Sequence, residues 1–141
     1  MAFEILVVED NPMDVELVTE ALREWSNPPN ISVVKDGDEA IRFLRRIADY
    51  SSAPQPSLIL LDLNLPKKSG VEVLAEIKND AELTQIPVIV LTTSDREADV
   101  SQAYKLHANC YVTKTLEIAI FFEKVKAIEE FWILHARLPH V

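Results

Sequence analysis

Five short apolar runs alternate with five stretches of helical periodicity, and this alternation constrains the fold more than any other feature of the chain. The runs are residues 3–8 (Phe-Glu-Ile-Leu-Val-Val), 31–34, 58–61 (Leu-Ile-Leu-Leu), 88–91 and 110–113. Runs that are apolar at successive positions suit the strands of a parallel sheet covered on both faces. In the first intervening stretch Asn11 can cap a helix, with Pro12 at its first position and Asp14 in its first turn. Val15, Val18, Leu22 and Trp25 share a face of that helix, and Asn27-Pro28-Pro29 ends it. A second helix follows Asp36-Gly37-Asp38 with a stripe of Ala40, Ile41, Leu44 and Ala48. Residues 51–57, with two prolines and three serines, read as a surface loop. The third helix begins after Gly70 and is marked by Val71, Leu74 and Ile77, and the fourth spans residues 98–107. The last runs from about 117 to 136, with Ile118, Phe121, Phe122, Val125, Ile128 and Trp132 at helical spacing.

Strand–helix alternation predicts an α/β fold in which five parallel strands are wound with helices on both faces. The economical strand order is 2-1-3-4-5. Its ligand crevice lies at the carboxyl ends of the strands, beside the switch point between strands 1 and 3. The residues that end the strands therefore matter most. Strand 1 ends in Glu9-Asp10, strand 3 in Asp62, strand 4 in Thr92, and strand 5 leads to Lys114. Any one of these has an ordinary structural reading, Thr92 as a β-former or Lys114 as a solvated lysine. Asp62 resists that reading, because a carboxylate directly after four buried aliphatics is costly without partners.

Taken together, three carboxylates, a hydroxyl and an ammonium would meet at one crevice. Clustered carboxylates repel one another unless a cation sits among them, and oxygen-only ligands at a partly open site suit Mg²⁺. Asp10 and Asp62 are the expected direct ligands, with the backbone carbonyl near Asn64 as a third and Glu9 acting through water. One Asp62 oxygen would then remain free to attack phosphorus. Mg²⁺ and Lys114 would neutralise the phosphoryl oxygens, and the Thr92 hydroxyl would donate a hydrogen bond to them.

Composition narrows the setting. With 14 Lys plus Arg against 23 Asp plus Glu, the formal charge of −9 makes direct nucleic-acid binding a poor expectation. No apolar run is long enough to span a membrane, and the N-terminal residues lack the basic region of a signal peptide, so a cytoplasmic protein is expected. The single cysteine, Cys110, excludes an internal disulfide framework and is expected to be a small buried hydrophobe.

The segments Ile5-Leu-Val-Val-Glu-Asp10-Asn-Pro, Leu60-Leu-Asp62-Leu-Asn-Leu-Pro66, Val90-Leu-Thr92 and Tyr111-Val-Thr-Lys114 resemble the response-regulator receiver domains, a CheY-like family with a flavodoxin-like sheet. The resemblance spans residues 3 to about 130. It implies that Asp62 accepts a phosphoryl group from a sensor histidine kinase, and that Glu9 and Asp10 help to hold Mg²⁺, with Mn²⁺ as a substitute. It implies further that Lys114 contacts the phosphoryl group and that Thr92 and Tyr111 form a switch acting on helix 4, strand 5 and helix 5. Such a protein is not a conventional enzyme, although it catalyses its own phosphorylation and its own dephosphorylation. The loop at 51–57, Leu91-Thr-Thr-Ser94, Asn109-Cys-Tyr-Val-Thr-Lys114 and the ending Glu129-Glu-Phe-Trp132 through Leu138-Pro139 are similar to stand-alone phytochrome-associated regulators. That narrower similarity implies a phytochrome-type kinase as phosphodonor.

The sequence departs from the family at one place: Thr115 follows Lys114 where receivers usually carry proline in a cis peptide. The peptide is therefore either trans, with Lys114 arriving by another route, or strained. Thr93 is also bulkier than the small residue often found there.

We divide the chain into a receiver domain at 1–130 and a C-terminal extension at 131–141. No effector domain is expected after Trp132, so output falls to a contact with a downstream protein of unknown identity. The last helix carries Ile120, Phe131, Ile133 and Leu134 beyond its core stripe. That excess predicts a homodimer through strand 5, helix 5 and the tail. His107, His135 and His140 receive no role in phosphate relay. A haloacid-dehalogenase-like phosphatase is rejected because its nucleophile would stand on strand 1, and a flavodoxin-like cofactor binder because Glu9-Asp10 would repel a phosphate. The remaining alternative is a receiver-fold interaction module that works without phosphorylation.

Overall fold

A computed structural model describes residues 3–139, so His140 and the outermost residues of the two sequence-defined segments lie outside the described residues. The strands are β1 (Glu4–Val8), β2 (Asn30–Val34), β3 (Leu58–Leu61), β4 (Val88–Thr92) and β5 (Cys110–Thr113). All pair in parallel in the order β2-β1-β3-β4-β5, the doubly wound order expected from the alternation. The helices are α1 (Pro12–Arg23), α2 (Gly37–Arg45), α3 (Gly70–Asn79), α4 (Glu97–Lys105) and α5 (Ile118–Ile128).

Side chains alternate across the pleat and build two apolar layers. Leu6, Val8, Ile59, Leu61, Val88 and Val90 pack on one face with residues of α2, α3 and α4. Ile5, Val7, Leu58, Leu60, Ile89 and Leu91 pack on the other with residues of α1 and α5. Each such aliphatic side chain contributes about 1.5–3 kcal/mol when fully buried, so the central strands β1, β3 and β4 anchor the domain.

Local signals explain how the helices begin. Asn11 caps α1, its side chain accepting from the backbone N–H groups of Met13 and Asp14, and Pro12 takes the first turn. Asp36 caps α2 by accepting from the Glu39 N–H, and Ser69 and Glu72 form a reciprocal capping box on α3.

The chain's two glycines both serve the loop between β3 and α3. A Cβ on Gly70 would stand 2.3 Å from the Asp62 carbonyl oxygen, and one on Gly37 would stand 1.9 Å from that of Lys68. Only bare backbone fits at these approaches.

Several boundaries differ from the periodic reading. Helix α2 stops at Arg45 because Arg46 turns left-handed at φ 55°, and Ala48 (φ 57°) falls in a separate 3₁₀ turn, Ala48–Tyr50, instead of extending the buried stripe. Val73 is buried in α3, whereas Val71 is only half-buried. Helix α4 spans Glu97–Lys105, a shift of one residue at its start and two at its end. The last helix changes character at Glu129, where a π-helical segment continues to His135. Ile118 proves exposed, and Cys110 is half-buried on the edge strand, so the fully buried position expected of it is corrected.

The candidate phosphoryl-transfer crevice

The parallel ladder continues one residue past three strands and thereby sets the crevice. Glu9 N–H donates to the Val34 carbonyl at 3.0 Å, Asp62 N–H to Val8 at 3.0 Å, and Lys114 N–H to Thr92 at 2.7 Å. Each of these residues is held by its neighbouring strand at the position where regular pairing ends. Glu9, Asp62 and Thr92 are buried, and the Lys114 side chain is only 6% exposed.

Lys114 joins the crevice together. Its ammonium donates to an Asp62 carboxylate oxygen at 3.0 Å, to Asp14 at 3.0 Å, and to Glu9. The other Asp62 oxygen accepts from the Thr92 hydroxyl at 2.9 Å and from the Asn64 backbone N–H at 3.0 Å. Glu9 also accepts from the Asn11 N–H at 3.1 Å, which ties it to the start of α1. Among the described residues no buried side-chain nitrogen or oxygen lacks a partner.

This packing separates the protonation behaviour of the two carboxylates. Burial, reinforced by the nearby Asp62 carboxylate, raises the Glu9 pKa to about 7. Burial works in the same direction on Asp62. There it is outweighed by hydrogen bonding with Glu9 and the Asn64 N–H and by the charge of Lys114, so its carboxyl stays below the ordinary range. Burial opposes the Lys114 charge, but Glu9 and Asp62 overcome it and hold the ammonium above its ordinary pKa. Asp62 is thus kept as the anion, the form a nucleophile needs.

Of the residues singled out from the sequence, Glu9, Asp62, Thr92 and Lys114 come together. Asn64 reaches them through its backbone, and Tyr111 stands one step outward, its hydroxyl donating to the Ser94 carbonyl at 2.8 Å. Asp10 does not join this cluster: its side chain is exposed at the rim. The third carboxylate is Asp14, whose ligand atom lies with those of Glu9 and Asp62 inside a 4.8 Å spread. Sequence reasoning places Asp14 only in the first turn of a helix, where it is explained by the positive end of the helix dipole. Its second role requires knowing where Lys114 lands. The Lys114–Thr115 peptide is trans, as are the other peptides of the described residues.

A doubly wound sheet with a buried carboxylate–ammonium–hydroxyl cluster at its switch point defines a class, the CheY-like signalling proteins. The chain belongs to the response regulator receiver domains of two-component signalling, matching that family over residues 5–126. It is 48% identical over 135 residues to the response regulator Rcp1 of Synechocystis sp., covering 96% of this chain and 92% of Rcp1. Its structure resembles the phosphorylated cyanobacterial phytochrome response regulator RcpA, with a TM-score of 0.95, 50% identity, and coverage of 99% of this chain and 100% of RcpA. It also resembles the Mn²⁺-bound form of Rcp1, with a TM-score of 0.92, 47% identity, and coverage of 98% and 99%. RcpA, among these, is a phytochrome response regulator, and membership of the family implies a histidine kinase as partner of this chain. No helix among the described residues is long and apolar enough to cross a membrane.

Proposed function

We propose that the chain is a cytoplasmic response regulator that accepts a phosphoryl group on Asp62 from a phytochrome-type sensor histidine kinase. The observation that carries this reading is the Asp62 carboxylate itself. It is buried, held as an anion, and met by Lys114, Thr92 and the Asn64 N–H at 2.9–3.0 Å. A buried carboxylate so surrounded is costly to build, and a reactive role accounts for that cost.

The donor set of Glu9, Asp14 and Asp62 is made of hard oxygen ligands within reach of one ion, which fits Mg²⁺ or Mn²⁺. In this reading Glu9, Asp62 and the Asn64 carbonyl would hold the ion with Asp14 within reach, and Asp10, exposed beside the cluster, would turn inward to join them. When bound, it supplies charge neutralisation at the transferring phosphoryl group. The chain's own residues do the rest. An Asp62 carboxylate oxygen forms the bond to phosphorus as the bond from phosphorus to the donor's imidazole nitrogen breaks, giving an acyl phosphate and a free histidine. Lys114 pairs with the new oxygens, and the Thr92 hydroxyl turns from Asp62 to the phosphoryl group. Movement of Thr92 then releases space for Tyr111, whose hydroxyl would leave Ser94 and alter the surface of α4, β5 and α5.

That surface is the proposed output. The receiver domain at 1–130 would present it, and the extension at 131–141 would enlarge it. A groove of about 490 Å³ runs along β5, bounded by Ile128, Phe131 and Trp132. Phe131 and Leu134 are 58% and 52% exposed beside the domain. An apolar surface of this kind supports a homodimer through β5, α5 and the tail, or the docking of a downstream protein in its place.

Intact-protein mass after incubation with acetyl phosphate and Mg²⁺ tests the reading, beside Asp62→Asn and a chelator control. One added phosphoryl group that requires both Mg²⁺ and Asp62 is the expected result. No adduct, together with no beryllofluoride complex, would leave a receiver-fold interaction module that works without phosphate.

A further inference from the structure

The loop after Lys114 does little to fix it. Leu116 is fully exposed, and the only side-chain hydrogen bond found within residues 115–117 is that from the Thr115 hydroxyl to the Glu117 carbonyl, at 3.2 Å. The Lys114 side chain is nevertheless buried, and what surrounds its ammonium is three carboxylates. Two of them, Glu9 and Asp62, end strands and are committed to the reaction. The third, Asp14, comes from a helix, and its position is set independently of the sheet. Its backbone N–H donates to the Asn11 cap at 3.2 Å, and its carboxylate reaches Lys114 at 3.0 Å.

We propose that Asp14 is a positioning residue for Lys114: a carboxylate fixed by the cap of α1 that keeps the ammonium beside Asp62, a task the loop itself does not perform. The proposal rests on the reading of Lys114 as the phosphoryl-contacting residue. When phosphoryl oxygens arrive, Lys114 exchanges its contact with Glu9 or Asp62 for them. Asp14 need not be released, because its carboxylate is 31% exposed and Lys114 reaches Asp62 directly at 3.0 Å without it. One end of the lysine is thus held by the β4–β5 ladder and the other by α1.

Two measurements on the full chain test this. The first follows the Lys114 side-chain ammonium by ¹⁵N-resolved NMR, where only an ammonium held by hydrogen bonds exchanges slowly enough to be seen. It should be visible in wild type and in Asp14→Glu, and lost in Asp14→Asn. An ammonium signal that persists in Asp14→Asn overturns the proposal. The second is beryllofluoride affinity in saturating Mg²⁺. Asp14→Asn should weaken it about tenfold, the equivalent of one charge-assisted hydrogen bond, and Asp14→Glu should recover part of the loss. In a Lys114→Ala background the same substitution should have no further effect. An equal loss with and without Lys114 would mean that Asp14 acts on the ion or the fold, and would also overturn the proposal. If wild type binds no beryllofluoride, the phosphoacceptor reading fails while the ammonium signal still decides the role of Asp14.

Discussion

The crevice and the β5–α5 face lie at two borders of the same sheet and are built on opposite terms. In the crevice, Glu9, Asp62 and the Lys114 side chain are withdrawn from water, and each has partners that are themselves buried. On the face, Phe131 and Leu134 are more than half exposed to solvent. A charge that has left water depends on its partners, so removing one member strands the others. An apolar side chain left half in water has little of its folding contribution to lose. Stability should therefore be sensitive at the crevice and indifferent on the face, with self-association following the reverse order.

Lys114→Met gives the strongest test of the first half. It leaves Glu9, Asp14 and Asp62 without their shared cation, and the expected loss in urea denaturation near pH 7.5 is about 3–5 kcal/mol. A loss under about 1 kcal/mol would show that the crevice is solvated like an ordinary surface pair, and the contrast would collapse.

Gly70→Ala comes next, because it strikes the scaffold behind Asp62 and leaves the charges intact. The added methyl would meet the Asp62 carbonyl at 2.3 Å and the Leu63 Cα at 2.5 Å, both backbone atoms that cannot swing aside. A destabilisation of about 1–3 kcal/mol is expected, together with slower acetyl phosphate transfer. A stable variant with unchanged transfer would mean that the loop carrying Asp62 is more pliant than its contacts imply.

The third test is smaller and uses pH. Because the folded pKa of Glu9 is raised to about 7 from an ordinary 4.5, the folded state binds its proton more tightly than the unfolded chain does. Its contribution to stability is full below about pH 4.5 and fades as pH rises through about 7. Asp62 runs the other way: its folded pKa is lowered, so its contribution is lost only as pH falls below the ordinary carboxylate range. Between pH 5 and 8 Glu9 should dominate. With a chelator present, the urea midpoint of wild type should fall across that window relative to Glu9→Gln. Parallel curves would contradict the shift.

The crevice is legible in the sequence to the extent that the backbone dictates it. Asn11 and Pro12 announce the start of α1, and an apolar run that stops on Glu9 or Asp62 announces a strand end, because both arise from hydrogen-bonding needs a reader can count. Asp14 is not legible, since its partner is 100 residues away and a first-turn aspartate already has a local explanation. Periodicity puts Ala48 in the α2 stripe because it cannot register a left-handed Arg46 that ends the helix early. The tail is the least legible part. Apolar spacing suggests one continuous helix to about 136, but the π-helical segment from Glu129 changes the direction in which the later side chains point. Glu129 itself, a carboxylate, ends up buried, with the Asn27 N–H as its partner at 3.5 Å. Pattern reading assigns a glutamate to solvent, and only the packing of the tail against the end of α1 reveals otherwise.

Phe131→Glu should have the smallest effect on folding and so sharpens the comparison from its other side. The ring stacks edge-on with Trp132 at 5.3 Å between centroids but is 58% exposed. Its replacement should change stability by no more than about 0.5 kcal/mol. A new carboxylate beside the β5 groove would nevertheless repel a second copy of a chain that already carries a formal charge of −9. Light scattering over a concentration series should then show wild type moving towards a dimer while the variant stays a monomer. Identical monomeric masses for both would remove the homodimer and leave this face to a different protein. A large loss of stability would instead make the tail part of the folded core, since an apolar surface cannot both complete the domain and remain free to pair.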